Sequence, residues 1–365
     1  MSKFMEIAMQ PSANAPQSKP SAGVLFVGID LGTSHTAIAA SNGNRLAIDS
    51  IVAYPRDVIS QKALGKDKLF GAEAWKQKHA CDVYRPMQKG QVNYAELDGA
   101  INRDAARQQA AVRDLLQHAV SLAKPRPDDL IYGVVGAPAQ ASIHSQKALI
   151  EAARGILDCV MICSEPFAVA YGLQFLTDTL VIDIGAGTTD LCRMHGSLPA
   201  PDDQVTCSAA GDAVDRKLFE LLKAAIPQAS FTVNMIKQIK EKFAALAGFD
   251  EPIRVTLPVR GVPTEFDITA QVREAVESIV PEIVDNLHNL VAGYDPEFQA
   301  AMRNNVLVAG GGSQIVGLDK AIERKLNQLG GGRVARVQEP AFAGANGALQ
   351  LAQDMPAEFW AQLDG

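Results

Sequence analysis

Two stretches of this chain repeat one phrase. Val24 to Asp30 (VLFVGID) is an apolar run ending in Asp, followed by the turn Gly32-Thr33-Ser34 and then TAIAAS; Thr179 to Met194 (TLVIDIGAGTTDLCRM) repeats strand, Asp, glycine turn and strand. Asp30 and Asp183 lie 153 positions apart. Solenoid repeats recur every ~20–50 residues, so an interval this long reads as a duplicated domain. Each phrase predicts a hairpin whose first strand is buried. At 365 residues the chain also exceeds the ~250–300 at which one hydrophobic core stops growing, which agrees with two lobes.

Between and after the repeats, strand and helix alternate, the order of an α/β protein. Asn102 to Lys124 places Val112, Leu115, Leu116, Ala119 and Ala123 on one helical face, and Pro125 ends it. Strands follow at Leu130 to Val135 and Val160 to Cys163, with helices at Ser142 to Ile156 and from Pro166 to Leu173. Beyond the second hairpin, helices are expected at Ala213 to Ala225 and Thr232 to Leu246, with a small sheet from RVTLPV and TEFDIT. Val272 to Val291 keeps a helical period through Pro281, which predicts one helix kinked by a missing hydrogen bond. NVLVAGGGSQ then reads as strand and glycine turn, a helix runs to about Leu329, and an Ala- and Leu-rich helical segment closes the chain.

Composition excludes several classes. A net charge of −7 argues against a nucleic-acid footprint, which needs clustered Lys and Arg, so direct DNA binding is not expected. The five cysteines are odd in number and show no CxxC pair; Cys159 and Cys163 read as small buried hydrophobes, reduced in a cytoplasmic protein. No apolar run approaches the ~18–20 residues of a membrane span, so no integral membrane segment is expected. Residues 1–22 read as a flexible tail, or alternatively as a small amphipathic anchor through Phe4, Met5, Ile7 and Met9.

Three glycine turns stand directly after apolar strands: Asp30 to Thr36, Asp183 to Asp190, and Ala309 to Ser313. Singly, each is ordinary turn chemistry. Together they suggest an anion cradle, because Gly32, Gly185, Gly187, Gly310, Gly311 and Gly312 let backbone amides approach a phosphate. The hydroxyls of Thr33, Ser34, Thr188 and Thr189 add donors without bulk, and Ser313 ends the third turn as a further binding candidate. A strand ending in Asp beside such a cradle needs a cation between the like charges, so Asp30 and Asp183 are candidate holders of Mg²⁺ through water. At Cys163-Ser164-Glu165-Pro166 a strand gives way to a helix. The helix dipole favours a charged Glu165 there, suiting a group that orients water.

The order of these pieces resembles the actin, sugar-kinase and heat-shock ATPase superfamily. The first phosphate loop is matched by Asp30 to Thr36, a connecting segment by Ser164 to Gly172, the second phosphate loop by Asp183 to Asp190, and the adenosine loop by Ala309 to Gly317. The phrases DLGTSHTA, YPRDVI, SEPFAVAYGL, DIGAGTTD, PDDQVT and AGGGSQIVGL, with the Trp360 tail, are similar to the bacterial actin-like proteins associated with magnetosome chains.

The resemblance implies an actin-like ATPase fold of four subdomains around a nucleotide cleft. Its first lobe would be 22–172 plus 340–365 with a small insertion about 53–80, and its second 173–339 with an insertion about 211–270. It implies a cytoplasmic filament that binds ATP or ADP with Mg²⁺, with partners in further copies of itself and in magnetosome-associated or other adaptor proteins. Glu165 and Asp183 would be catalytic, Glu165 positioning the attacking water. Lys240 and Glu241 would meet ribose and adenine, and His35 stands in the phosphate loop where actin carries a lysine nearby, as a structural residue. A small-molecule kinase would need an acceptor pocket that no insertion supplies, and a heat-shock chaperone a substrate domain after Gly347. A plasmid-partitioning filament stays open, since polymer function lies in surfaces and adaptors.

Overall fold

The computed structural model describes residues 23–89, 91–92, 103–247 and 251–363; the expected tail at 1–22 lies outside them. By backbone contacts the chain forms two compact units, one running through Leu176 and resuming at Ala341, the other Thr177–Pro340.

The first unit is built on the strands β1 (Val24–Leu31), β2 (His35–Ala40), β3 (Arg45–Asp49), β4 (Val52–Pro55), β5 (Leu69–Phe70), β6 (Cys81–Tyr84), β7 (Met87–Gln88), β8 (Gln91–Val92), β9 (Leu130–Ala137) and β10 (Cys159–Ser164). Its main sheet runs β10-β9-β1-β2-β3, with β1, β9 and β10 parallel and β1, β2 and β3 joined antiparallel. The helix Arg103–Leu122 buries Ala111, Val112, Leu115, Leu116 and Ala119, the three-to-four spacing that keeps one stripe on the core. The helix Ile143–Ala153 is started by the Ser142 hydroxyl, which accepts from the Ser145 amide at 3.1 Å. Around residues 53–80 a small sheet β5-β4-β6 forms. Asp114 on the long helix ties it down, accepting from the Tyr54 hydroxyl and the Lys68 ammonium, each at 2.7 Å. Burial, then that hydrogen bond, pushes the Tyr54 hydroxyl well above its ordinary pKa.

The chain's last segment belongs to this unit. The helix Ala343–Asp354 lies against the helix Glu165–Leu173 and against β1 at three glycines. A Cβ at Gly28 would overlap the Ala345 carbonyl and one at Gly347 the Ala168 carbonyl, while one at Gly172 would stand 2.6 Å from the Gly347 Cα. All three obstacles are backbone and cannot rotate away. Gly347→Ala is therefore expected to cost about 3 kcal/mol in urea denaturation, the upper end of ordinary overpacking. Gln350→Ala on the same helix should stay within about 0.5 kcal/mol. Further along, Trp360 is buried against Phe26 and Tyr132, at ring separations of 6.3 and 5.2 Å.

The second unit has β11 (Thr179–Ile184), β12 (Thr189–Met194), β13 (Gln204–Cys207), β14 (Arg254–Val259), β15 (Val262–Asp267), β16 (Val306–Ala309) and β17 (Val334–Arg336). Its sheet runs β13-β12-β11-β16-β17, again an antiparallel hairpin with two parallel strands on its far side. The strand order repeats that of the first unit, so the duplication legible in two hairpins extends to both sheets. The hairpin β14–β15 turns through Arg260 and Gly261, both at positive φ (50° and 84°), as a two-residue hairpin turn requires.

Where one kinked helix is expected, the structure has two, Thr269–Glu277 and Val280–Ala292. Ser278 and Ile279 keep right-handed angles, but Pro281 has no N–H and falls in the first turn of the second helix, where none is needed. Val272, Ala275, Val276, Ile283, Val284 and Leu287 all remain in the core, which is why the period survives the break.

Candidate functional site

In the first unit, Asp30 is the penultimate residue of β1, and the turn after it closes by the Gly32 amide donating to the His35 carbonyl at 3.1 Å. Ser50, a residue the sequence does not single out, braces this turn. Its hydroxyl donates to the Gly32 carbonyl at 2.6 Å and lies 2.9 Å from the Thr36 hydroxyl, while its amide donates to the Ser34 carbonyl at 2.8 Å. Gly32, Thr33 and Ser34 are half-buried. The exposed His35 imidazole turns to Asp49 on the neighbouring strand, with Nε2 3.1 Å from Oδ1.

Glu165 opens its helix directly after β10, with Pro166 behind it. Gly136 brings it to Asp30: β9 sets Gly136 beside Asp30 in register, and a Cβ there would stand 3.3 Å from the Glu165 Cγ. From the other side, Gly344 admits the Asp30 carboxylate, whose Oδ2 would lie 3.1 Å from a Cβ. The two acids also reach Cys163, whose thiol is pushed up to about 12 first by burial and then by the charges of Glu165 and Asp30. Cys163, so held protonated, and its strand neighbour Cys159 are both buried and form no disulfide, which makes them packing residues.

The second unit repeats the turn. Asp183 is penultimate in β11 and buried, and the Gly185 amide donates to the Thr188 carbonyl at 2.9 Å. Gly187 and Thr188 are buried beside it. Thr189 spends its hydroxyl on the Ala209 carbonyl at 2.6 Å, making it part of the wall. The third turn lies directly on Asp183, because β16 pairs Ala309 with it in register. Gly310 there has φ +73°, and a Cβ would overlap the Asp183 Oδ1; one at Gly312 would overlap the Ile184 side chain. Gly311 is exposed, with nothing near its Cβ position, and Ser313 closes the turn by donating to the Gly310 carbonyl at 2.7 Å.

The helix Val233–Phe243 straps these two turns together. Lys240 donates to the Gly211 carbonyl at 3.0 Å and pairs with Asp215 at 2.8 Å, and the Gly211 amide in turn donates to the Gly185 carbonyl at 3.1 Å. Past the helix the chain turns extended, and the Leu246 amide donates to the Val316 carbonyl at 2.7 Å at the end of the third turn. Glu241 points to solvent and lies 3.6 Å from Lys237.

Each unit thus presents an amide-lined turn with one carboxylate at its base. Among the described residues no group of three or more His, Cys, Asp or Glu could hold an ion on protein ligands alone. Single carboxylates beside glycine cradles suit Mg²⁺, which keeps its waters and is shared with phosphate oxygens. Among the same residues no helix is long and apolar enough to cross a membrane.

Two sheets of one strand order, each with a glycine turn after a strand-ending Asp, define an actin-like fold. The model of the MreB/Mbl protein family matches residues 24–358, and the chain belongs to that family. It is 38% identical over 339 residues to the actin-like protein MamK of Paramagnetospirillum magneticum (strain ATCC 700264 / AMB-1), covering 93% of this chain and 95% of that one. A MamK double helical filament matches with a TM-score of 0.86 at 37% identity, over 92% of this chain and all of the other (100%). A non-polymerising MamK mutant bound to AMPPNP matches with a TM-score of 0.68 at 37% identity, over the same shares of 92% and 100%.

Proposed function

We propose that this protein binds and hydrolyses Mg-ATP and assembles with copies of itself into nucleotide-dependent cytoskeletal filaments that organise magnetosomes through adaptor proteins. The observation that carries the reading is the pair of matching turns at Asp30 and Asp183, on a chain similar along nearly its whole length to MamK, a filament and nucleotide-analogue binder. The amides of residues 33–34 and 186–188 bind phosphate oxygens, the Gly310–Ser313 turn and the Lys240–Glu241 pair take the adenosine, and Asp30 and Asp183 hold hydrated Mg²⁺. When bound, the ion neutralises phosphate charge and holds the phosphates in one orientation. Glu165 orients the attacking water. No side chain here has to form a covalent bond, so catalysis is positioning and charge stabilisation. Filament assembly needs exposed contact surface, and the helix Val58–Leu64 offers adjacent Val58 and Ile59 at 77% and 80% exposure.

Sedimentation of the full chain with Mg-ATP, Mg-ADP or no nucleotide, with phosphate release followed in the same tubes and pellets viewed by electron microscopy, tests this. Filaments that need ATP and disassemble as phosphate is released are expected. Turnover without polymer points to a kinase of the same fold, and neither turnover nor polymer overturns the reading. Filaments that lie beside plasmids and not magnetosomes in cells would replace the cargo alone.

A further inference from the structure

The pair Lys240 and Asp215 is nearly sealed from water, with side-chain exposures of 12% and 7%. Burial pushes the Asp215 carboxyl above its ordinary range, against the pull of the Lys240 ammonium. One of its oxygens, Oδ1, is buried without any hydrogen-bond partner. Such a pair is a poor source of stability: desolvating both charges costs about as much as their attraction returns, and an unmatched oxygen adds to the cost. Its value lies in where it puts the ammonium. Two of the three Lys240 N–H groups are spent, one on Asp215 Oδ2 at 2.8 Å and one on the Gly211 carbonyl at 3.0 Å. Both acceptors sit on the first turns of the helix Gly211–Ala225, whose amides at Gly211 and Asp212 donate to the carbonyls of Gly185 and Ala186, at 3.1 and 2.7 Å. The ammonium is therefore fixed beside the second phosphate turn, with its third N–H left for an oxygen of a ligand.

We propose that Asp215 is a positioning residue for nucleotide binding, acting through Lys240, which it holds in place against the Asp183 turn. The proposal rests on the nucleotide reading above. Without the carboxylate, a lysine stem with four rotatable bonds would sample many positions, and the ligand would bear the cost of ordering it.

A double-mutant cycle on the full chain tests this, with Mg-ATP affinity measured by titration calorimetry and each variant's melting temperature recorded alongside. Asp215→Asn, which keeps the shape and removes the charge, is expected to weaken Mg-ATP binding about tenfold, as is Lys240→Met. In the double variant the loss should be no greater than in Lys240→Met alone, since neighbours acting as one unit are not additive. The double variant also removes the lone buried ammonium, so it keeps the test open if Asp215→Asn melts early. Losses that multiply in the double variant, or unchanged affinity in Asp215→Asn, would overturn the positioning role while leaving nucleotide binding standing. Absence of Mg-ATP binding by the unaltered protein would instead remove the reading underneath.

Discussion

With Glu165 replaced by Gln, ATP turnover is expected to fall on the order of 10²–10⁴-fold, the range that a positioned general base supplies, while Mg-ATP affinity and ATP-induced sedimentation stay near their original values. The substitution keeps length and shape and removes the negative charge, and with it the ability to accept a proton. Its surroundings explain why binding should survive. Glu165 is the first residue of its helix, over Gly136 and on the Asp30 side of β9, whereas the first turn is braced by Ser50. The helix N-terminus favours a negative group at that position. If hydrolysis is what destabilises the polymer, filaments of the variant should persist after the unaltered protein has disassembled, read by pelleting against phosphate release over time. Turnover within twofold of the original would remove Glu165 from the chemistry, and lost binding would recast it as a structural residue at the helix start.

The parts of the fold legible in the sequence are those whose signal is local. β1 and β11 are apolar runs stopped by Asp and Gly, and the helix Arg103–Leu122 carries its own stripe. The strands β3, β13 and β17 were not legible, because three to five residues at a sheet edge acquire their identity from the neighbour they pair with, and Arg45–Asp49 has no buried residue. The same division runs through the site. Asp30, Asp183 and Glu165 announce themselves by standing where a strand ends. Ser50, Gly136 and Gly344 act on them from distant positions, and nothing in the sequence around each marks it. A hydroxyl can mislead in the opposite direction: Thr189 reads as a donor to a ligand, yet its proton is spent on the Ala209 carbonyl of its own unit. A turn's amides are implied by its glycines, whereas the partner of a side-chain oxygen is decided by packing.

Asp203→Ala is expected to cost about 3–5 kcal/mol, the range for removing one member of a buried ion pair. Asp203 accepts from Arg193 Nε at 2.6 Å, from the Ala200 amide at 2.7 Å and faces His195 Nε2 at 2.9 Å. Arg193 also donates to the Leu290 carbonyl at 2.8 Å and lies 5.1 Å from the centre of the Tyr294 ring, so the cluster links β12 to the helix Val280–Ala292. With side-chain exposures of 11% and 6%, neither Arg193 nor Asp203 can turn to water when the other is lost. Burial alone would raise the Asp203 carboxyl, but hydrogen bonds from His195, Arg193 and Ala200 hold it below its ordinary 3.8. A carboxyl depressed on folding stabilises above its unfolded value and loses that contribution as pH falls through its folded value. Stability of the unaltered protein should therefore decline below about pH 4 partly through this group, and the alanine variant should show a shallower acid slope from a lower plateau. Urea denaturation at neutral and acid pH measures both, and hydrogen exchange of the β12 and β13 amides reports whether the loss is local to this sheet. A plateau lowered by less than about 1 kcal/mol would mean that the arginine finds another partner, and that the cluster is a surface-like pair despite its burial.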